Sequence, residues 1–118
     1  MLTMLGKFLR TIRLDRDEVM KMMADKLGVS SAFLSAVEHG KKQMPSTWQT
    51  LLPREYAFSD EEKKRFDEVV ASSVSMLQVD LAGLEDEQKN LVVMFARTLP
   101  GLSKQKIRSV YKVIQENL

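Results

Sequence analysis

The sequence predicts an all-α protein, and three observations carry that expectation. Apolar residues recur at three- and four-residue spacing through most of the 118-residue chain. Helix-starting serines stand just before several of these runs, at Ser30, Ser59 and Ser103. Breakers stand after them, at Gly28, Gly40 and Pro100-Gly101. Two parts are expected: residues 1–71 as a helical domain, and residues 72–118 as a short strand followed by a helical hairpin.

Composition narrows the classes of function. An apolar share of 44% and a charged share of 29% suit an ordinary globule. With no cysteine there is no disulfide, thiolate nucleophile or cysteine zinc site, and a reducing cytoplasm is the expected location. No apolar run approaches the roughly 18 to 20 residues that cross a bilayer, so no membrane partner is expected. The opening MLTMLGKFLR is too short and too charged for the apolar part of a signal peptide. A net charge of +2 argues against holding a polyanion by bulk electrostatics. Residues 1–58 nevertheless carry nine Lys or Arg against six Asp or Glu, whereas residues 59–118 carry nine against ten.

In chain order, Leu2 to Leu14 reads as a first helix with Leu5, Phe8, Leu9 and Ile12 on one stripe. Lys7, Arg10 and Arg13 lie largely off it, as a solvated face or as contacts to an anionic partner. Asp15 to Glu18 should form a linker and an acidic start to the next helix. Met20 to Pro45 then reads as helix, three-residue turn, helix. Ala24 is small enough to let the two rods approach closely, and Gly28 supplies the positive φ of the turn. Ser30 caps the second helix, which starts near Ser31. Met23, Leu27, Val29, Leu34 and Val37 face inward, leaving Ser31, Ala32, Ser35 and Ala36 on an outer face.

The run Met23-Ala24-Asp25-Lys26-Leu27-Gly28-Val29-Ser30, then Leu34, then Val37-Glu38-His39-Gly40-Lys41-Lys42 and Pro45, resembles the helix-turn-helix of the XRE family. This is the class of small bacterial and phage regulators similar to lambda repressor and Cro, and the resemblance covers roughly Met4 to Leu52. It implies a lambda-repressor-like domain, double-stranded DNA as partner, and a homodimer on a two-fold site. It also implies that Ser31, Ala32 and Ala36 meet base edges, with Ser30 and Ser35 nearer the phosphates. Members carry Thr then Gln just before the first of the two helices, where this chain has Val19 and Met20. Asp17 is therefore expected to take the cap, and the phosphate contact is absent or falls to a neighbour such as Lys21. Arg10 is a further phosphate candidate, because the first helices of this fold cross the DNA backbone.

Ser and Ala cannot make the bidentate base pairing that Arg or Gln can, so direct readout should be shallow. Specificity would lean on Phe33 if it faces outward, on the next loop, and on DNA shape. In that loop Gly40 ends the helix, and Lys41 and Lys42 follow where a phosphate backbone would run. His39 is the only histidine; without ligand partners at the right spacing it reads as a helix-end residue able to bond a phosphate, not as a metal ligand.

Ser46 to Leu52 should be a short helix stopped by Pro53, with Trp48, Leu51 and Leu52 covering the core. Ser59 to Glu62 is a capping box opening a helix to about Ser72, with Phe66, Val69 and Val70 inward and Lys63 to Arg65 solvated. Ser72 to Gly83 breaks the helical period. Leu77, Val79 and Leu81 alternate with polar residues, as a strand paired with a second copy or as an extended linker. Glu85 to Thr98 should bury Leu91, Val92, Phe95 and Leu99. Ser103 caps a last helix whose Ile107, Val110, Tyr111, Ile114 and Leu118 repeat at helical spacing. Val110, Tyr111 and Ile114 join Leu77, Val79 and Leu81 as candidate dimer contacts, and the hairpin is also a candidate grip for a protein partner, as in an antitoxin. No pattern of catalytic or cofactor-binding residues is present, so neither enzyme activity nor a cofactor is expected.

Overall fold

Burial of alternating helical faces organises residues 1–79, the first of two units in a computed structural model that describes residues 1–73 and 76–117. The described residues form seven α-helices and one short 3-10 turn, so the chain is all-helical there. Helix α1 spans Met4–Asp15, α2 Met20–Leu27, α3 Ser31–Glu38, α4 Trp48–Glu55 and α5 Asp60–Ser73. Leu5, Phe8, Leu9 and Ile12 of α1 meet Met23, Ala24, Leu27, Leu34 and Val37 in one core, closed by Trp48, Leu52, Phe66 and Val69.

Local chemistry sets the helix ends. Thr3, whose hydroxyl accepts from the Gly6 N–H at 3.0 Å, starts α1. Gly28 adopts φ +69° and closes α2, with its own N–H bonded to Asp25 O and that of Val29 to Ala24 O. These bonds satisfy carbonyls that a helix end would otherwise leave open. The Ser30 hydroxyl accepts from Phe33 N at 3.0 Å, as its position predicts. Ser59 and Glu62 form the expected reciprocal box at 3.1 and 2.9 Å.

Four expectations for this unit need correction. Asp17 does not cap α2: it sits at φ +53° in the connection, and the helix starts at Met20 behind Val19 without a side-chain cap. Glu18 also lies outside that first turn, drawn instead to Lys26 and to the Tyr56 hydroxyl. Pro53 does not stop α4; it lies inside the helix, which continues to Glu55. Trp48, Leu52 and Tyr56 repeat at four-residue spacing and are all buried, which outweighs the one backbone bond that proline removes. Arg13 is not on an outer face but buried.

After α5, Met76 to Leu81 is neither helix nor strand, and among the described residues none forms a strand. Val74 and Ser75, within the expected strand, lie outside the described residues. Gln43 donates a hydrogen bond from Nε2 to the Met76 carbonyl at 2.7 Å, and the first unit runs to Val79.

The second unit, residues 80–118, holds α6 (Asp86–Thr98), a 3-10 turn (Leu99–Gly101) and α7 (Lys104–Gln115). Glu85 and Gln88 form a capping box for α6, and the Ser103 hydroxyl caps α7 through Lys106 N at 3.2 Å. Neither helix has a buried residue. The expected burial of Leu91, Phe95 and Leu99 is therefore absent, and Val92, Ile107 and Val110 are only half-buried. An amphipathic stripe specifies what wants covering, and one short hairpin has too little surface to cover it. Leu118 lies outside the described residues.

Candidate nucleic-acid interface

The outer side of α3 is built by what lies beneath it. Leu34 and Val37 anchor the helix in the core, and Phe33 packs edge-on against Trp48 with ring centroids 6.2 Å apart. Phe33 is thus half-buried and unavailable as an outward wedge, because the Trp48 ring offers it an aromatic partner on the core side. Ser31 and Ala32 are exposed, and Ser35 and Ala36 are half-exposed on the same helix. Ser30 is exposed, and its oxygen accepts the helix cap while its O–H remains able to donate.

At its other end α3 closes in a tight left-handed turn. Gly40 takes φ +74°, its N–H bonds Val37 O at 3.1 Å, and Lys41 N bonds Ala36 O at 2.8 Å. This bonding fixes the direction in which the chain leaves the helix and presents Lys41 and Lys42 as adjacent, exposed cations. His39, half-buried, holds Nδ1 2.8 Å from the Ser35 carbonyl oxygen, so Nδ1 donates there. Its Nε2 is then a bare acceptor in the neutral ring and donates to a phosphate only as imidazolium.

Beneath this end lies a cluster that sequence reasoning missed. Arg13 of α1 and Glu38 of α3, 6% and 1% exposed, form a two-bond ion pair at 2.5 and 3.2 Å. Thr3 donates to the Glu38 carbonyl from both its N–H, at 3.0 Å, and its hydroxyl, at 3.1 Å. Gly6 crosses so close that a Cβ there would stand 2.2 Å from the same oxygen. Together these contacts seat the last turn of α3 on α1, and the lysine turn with it. A faint signal existed: Arg13 follows Leu9 by four residues and Glu38 follows Leu34 by four, so each extends an apolar stripe with an opposite charge.

Other cations are taken up internally. Arg16 holds Glu62 at 3.1 and 3.2 Å and donates to Tyr56 O at 2.9 Å, while Lys26 pairs with Glu18 and lies 4.6 Å from the centroid of the Tyr56 ring. The Arg16 guanidinium, with the Ser59 N–H, holds the Glu62 carboxyl below its usual range. Burial raises the Glu18 carboxyl, but bonds from Lys26 and Tyr56 outweigh it and the net shift is downward. Burial, then the Glu18 carboxylate, pushes the Tyr56 phenol well up. Lys21 is exposed and faces Asp25 at 3.4 Å, which leaves it a partial phosphate candidate. Among the described cations of residues 1–58, Lys7, Arg10, Lys41, Lys42 and Arg54 form no ion pair and are exposed.

The arrangement offers small donors and methyl groups on a helix, two lysines on a rigid turn beside it, and Arg10 and Lys21 on neighbouring helices. Such a surface can bond phosphates through the cations and meet base edges through Ser31, Ala32 and Ala36. Among the described residues, no group of three or more His, Cys, Asp or Glu is placed to hold a metal ion, and no helix is long and apolar enough to cross a membrane. No family model, no curated protein and no solved structure matches this chain.

Proposed function

We propose that this protein is a sequence-specific, double-stranded-DNA-binding transcriptional regulator that acts in the cytoplasm, a repressor occupying a two-fold operator as a homodimer. On this reading α2 and α3 form a lambda-repressor-like helix-turn-helix, in keeping with the XRE resemblance of Met23 to Pro45. The observation that carries the reading is the pairing of an outer α3 face made only of Ser and Ala with two exposed lysines on the turn that closes the helix. Ser31, Ala32 and Ala36 enter a major groove, and Lys41, Lys42, Lys21 and Arg10 lie along the phosphates. Half-sites lie about one helical turn apart.

Shallow readout gives a particular signature. Affinity should depend strongly on salt, and base preference should be modest at contacted positions, with a share set by DNA shape. Selection of bound sequences from random DNA, with the mass of the complex measured alongside, tests the reading. A palindromic site bound by two copies supports it, and recovery of no enriched sequence contradicts it.

The non-helical stretch with Leu77 and Val79 exposed is a candidate for pairing with the same stretch of a second copy. Val79→Pro should then weaken self-association, and a variant that sediments like the parent removes that contact. The exposed apolar side chains of α6 and α7 favour one second reading: an antitoxin-like inhibitor that grips another protein through its hairpin and regulates its own operon through α3. A tightly co-purifying protein from the native host supports that second reading.

A further inference from the structure

The second unit is smaller than the roughly 40 residues at which a chain usually needs a disulfide, a metal or a partner to fold. With no cysteine in the chain and its one histidine at position 39, the first two routes lack their usual ligands. Leu91, Val93, Met94, Tyr111, Val113 and Ile114 each leave more than half of their surface exposed.

On α6 one stripe runs Glu87, Leu91, Met94, Thr98, with Arg97 beside its end. The stripe complements itself. An antiparallel second α6, set so that Leu91 faces the partner's Met94, brings Glu87 opposite the partner's Thr98 and within reach of the partner's Arg97. The apolar contact and the ion pair then each occur twice about one two-fold axis. A parallel pair would instead crowd the two acidic starts, Glu85 to Glu87, and align the helix dipoles.

From this self-complementarity we infer that the α6 face bearing Leu91 and Met94 is the docking surface for a second copy of this chain, with the two α6 helices antiparallel. The inference deepens the homodimer part of the proposed function and rests on that part alone. Its test is sedimentation equilibrium of the full chain without DNA. The parent should dimerise, and Met94→Glu should weaken the dimer at least about thirtyfold. Glu87→Arg alone and Arg97→Glu alone should each weaken it roughly fivefold. The two reversals combined should restore it, a rescue that loss of hairpin folding would not produce.

Orientation is read separately, on a background free of cysteine. Chains carrying Glu87→Cys mixed with chains carrying Thr98→Cys should form the mixed disulfide in preference to either like pair. A parent that stays monomeric, a double reversal no better than the worse single change, or preferred like pairs would each overturn the inference. Lys41→Glu with Lys42→Glu should leave the dimer mass unchanged, so failure of the DNA reading and failure of this one give different results.

Discussion

The two units of this chain use the same local grammar and reach different ends. Each has a serine cap and a capping box and marks its helices with amphipathic stripes, yet among the described residues every buried apolar one lies in the first unit. Five helices enclose a core there that holds α3 from below, so the outer face of α3 stands ready before any partner arrives. The two helices of the second unit leave their stripes open. The first unit thus holds its α3 face over a covered core, and the second leaves its apolar side chains exposed.

The largest expected effect strikes the first unit alone. Glu38→Ala would leave Arg13 buried and unpaired and should cost about 3 to 5 kcal/mol in urea unfolding. Replacing both members by apolar residues of similar volume should recover most of the loss, whereas equal losses in the single and double variants would show that the pair is not what holds α3 to α1. Gly6→Ala comes next, at about 1 to 3 kcal/mol, since its Cβ must displace the Glu38 backbone. Ser30→Ala should cost about 1 kcal/mol through the lost α3 cap. The matching cap change in the second unit, Ser103→Ala, should leave unfolding of the first unit unmoved; a shared loss would mean that the two units unfold together.

Acid sharpens the same contrast. Glu18 and Glu62 titrate lower in the folded chain than in the unfolded one. The stability they add is complete above the unfolded carboxyl value, about 4.3, and is lost as pH falls through their lower folded values. Unfolding of the first unit should therefore steepen with acid below about pH 4.3, and Glu62→Gln should flatten that limb. A variant as acid-sensitive as the parent would remove Arg16 and Glu62 from the account.

What could be read from the residues was what depends on near neighbours. Ser30, Ser59, Gly28 and Gly40 act within a few positions of themselves, and each stands as its local chemistry requires. Arg13 and Glu38 are 25 positions apart, and only the folding of α1 under α3 turns two unremarkable charges into a buried pair. Pro53 misleads for the same reason: its local preference is to end a helix, and burial of residues on both sides of it overrides that preference. Phe33 could be placed only once Trp48 was found beside it. The stripes of α6 and α7 were evident, but their burial depends on surfaces that a short hairpin does not itself supply.

The central claim is that α3 and its lysine turn dock on DNA, and the salt dependence of binding to a selected site tests it most directly. Lys41→Glu with Lys42→Glu should weaken binding on every sequence and reduce the slope of log affinity against log salt by about 2 per copy. An affinity and a slope both equal to the parent's would contradict it.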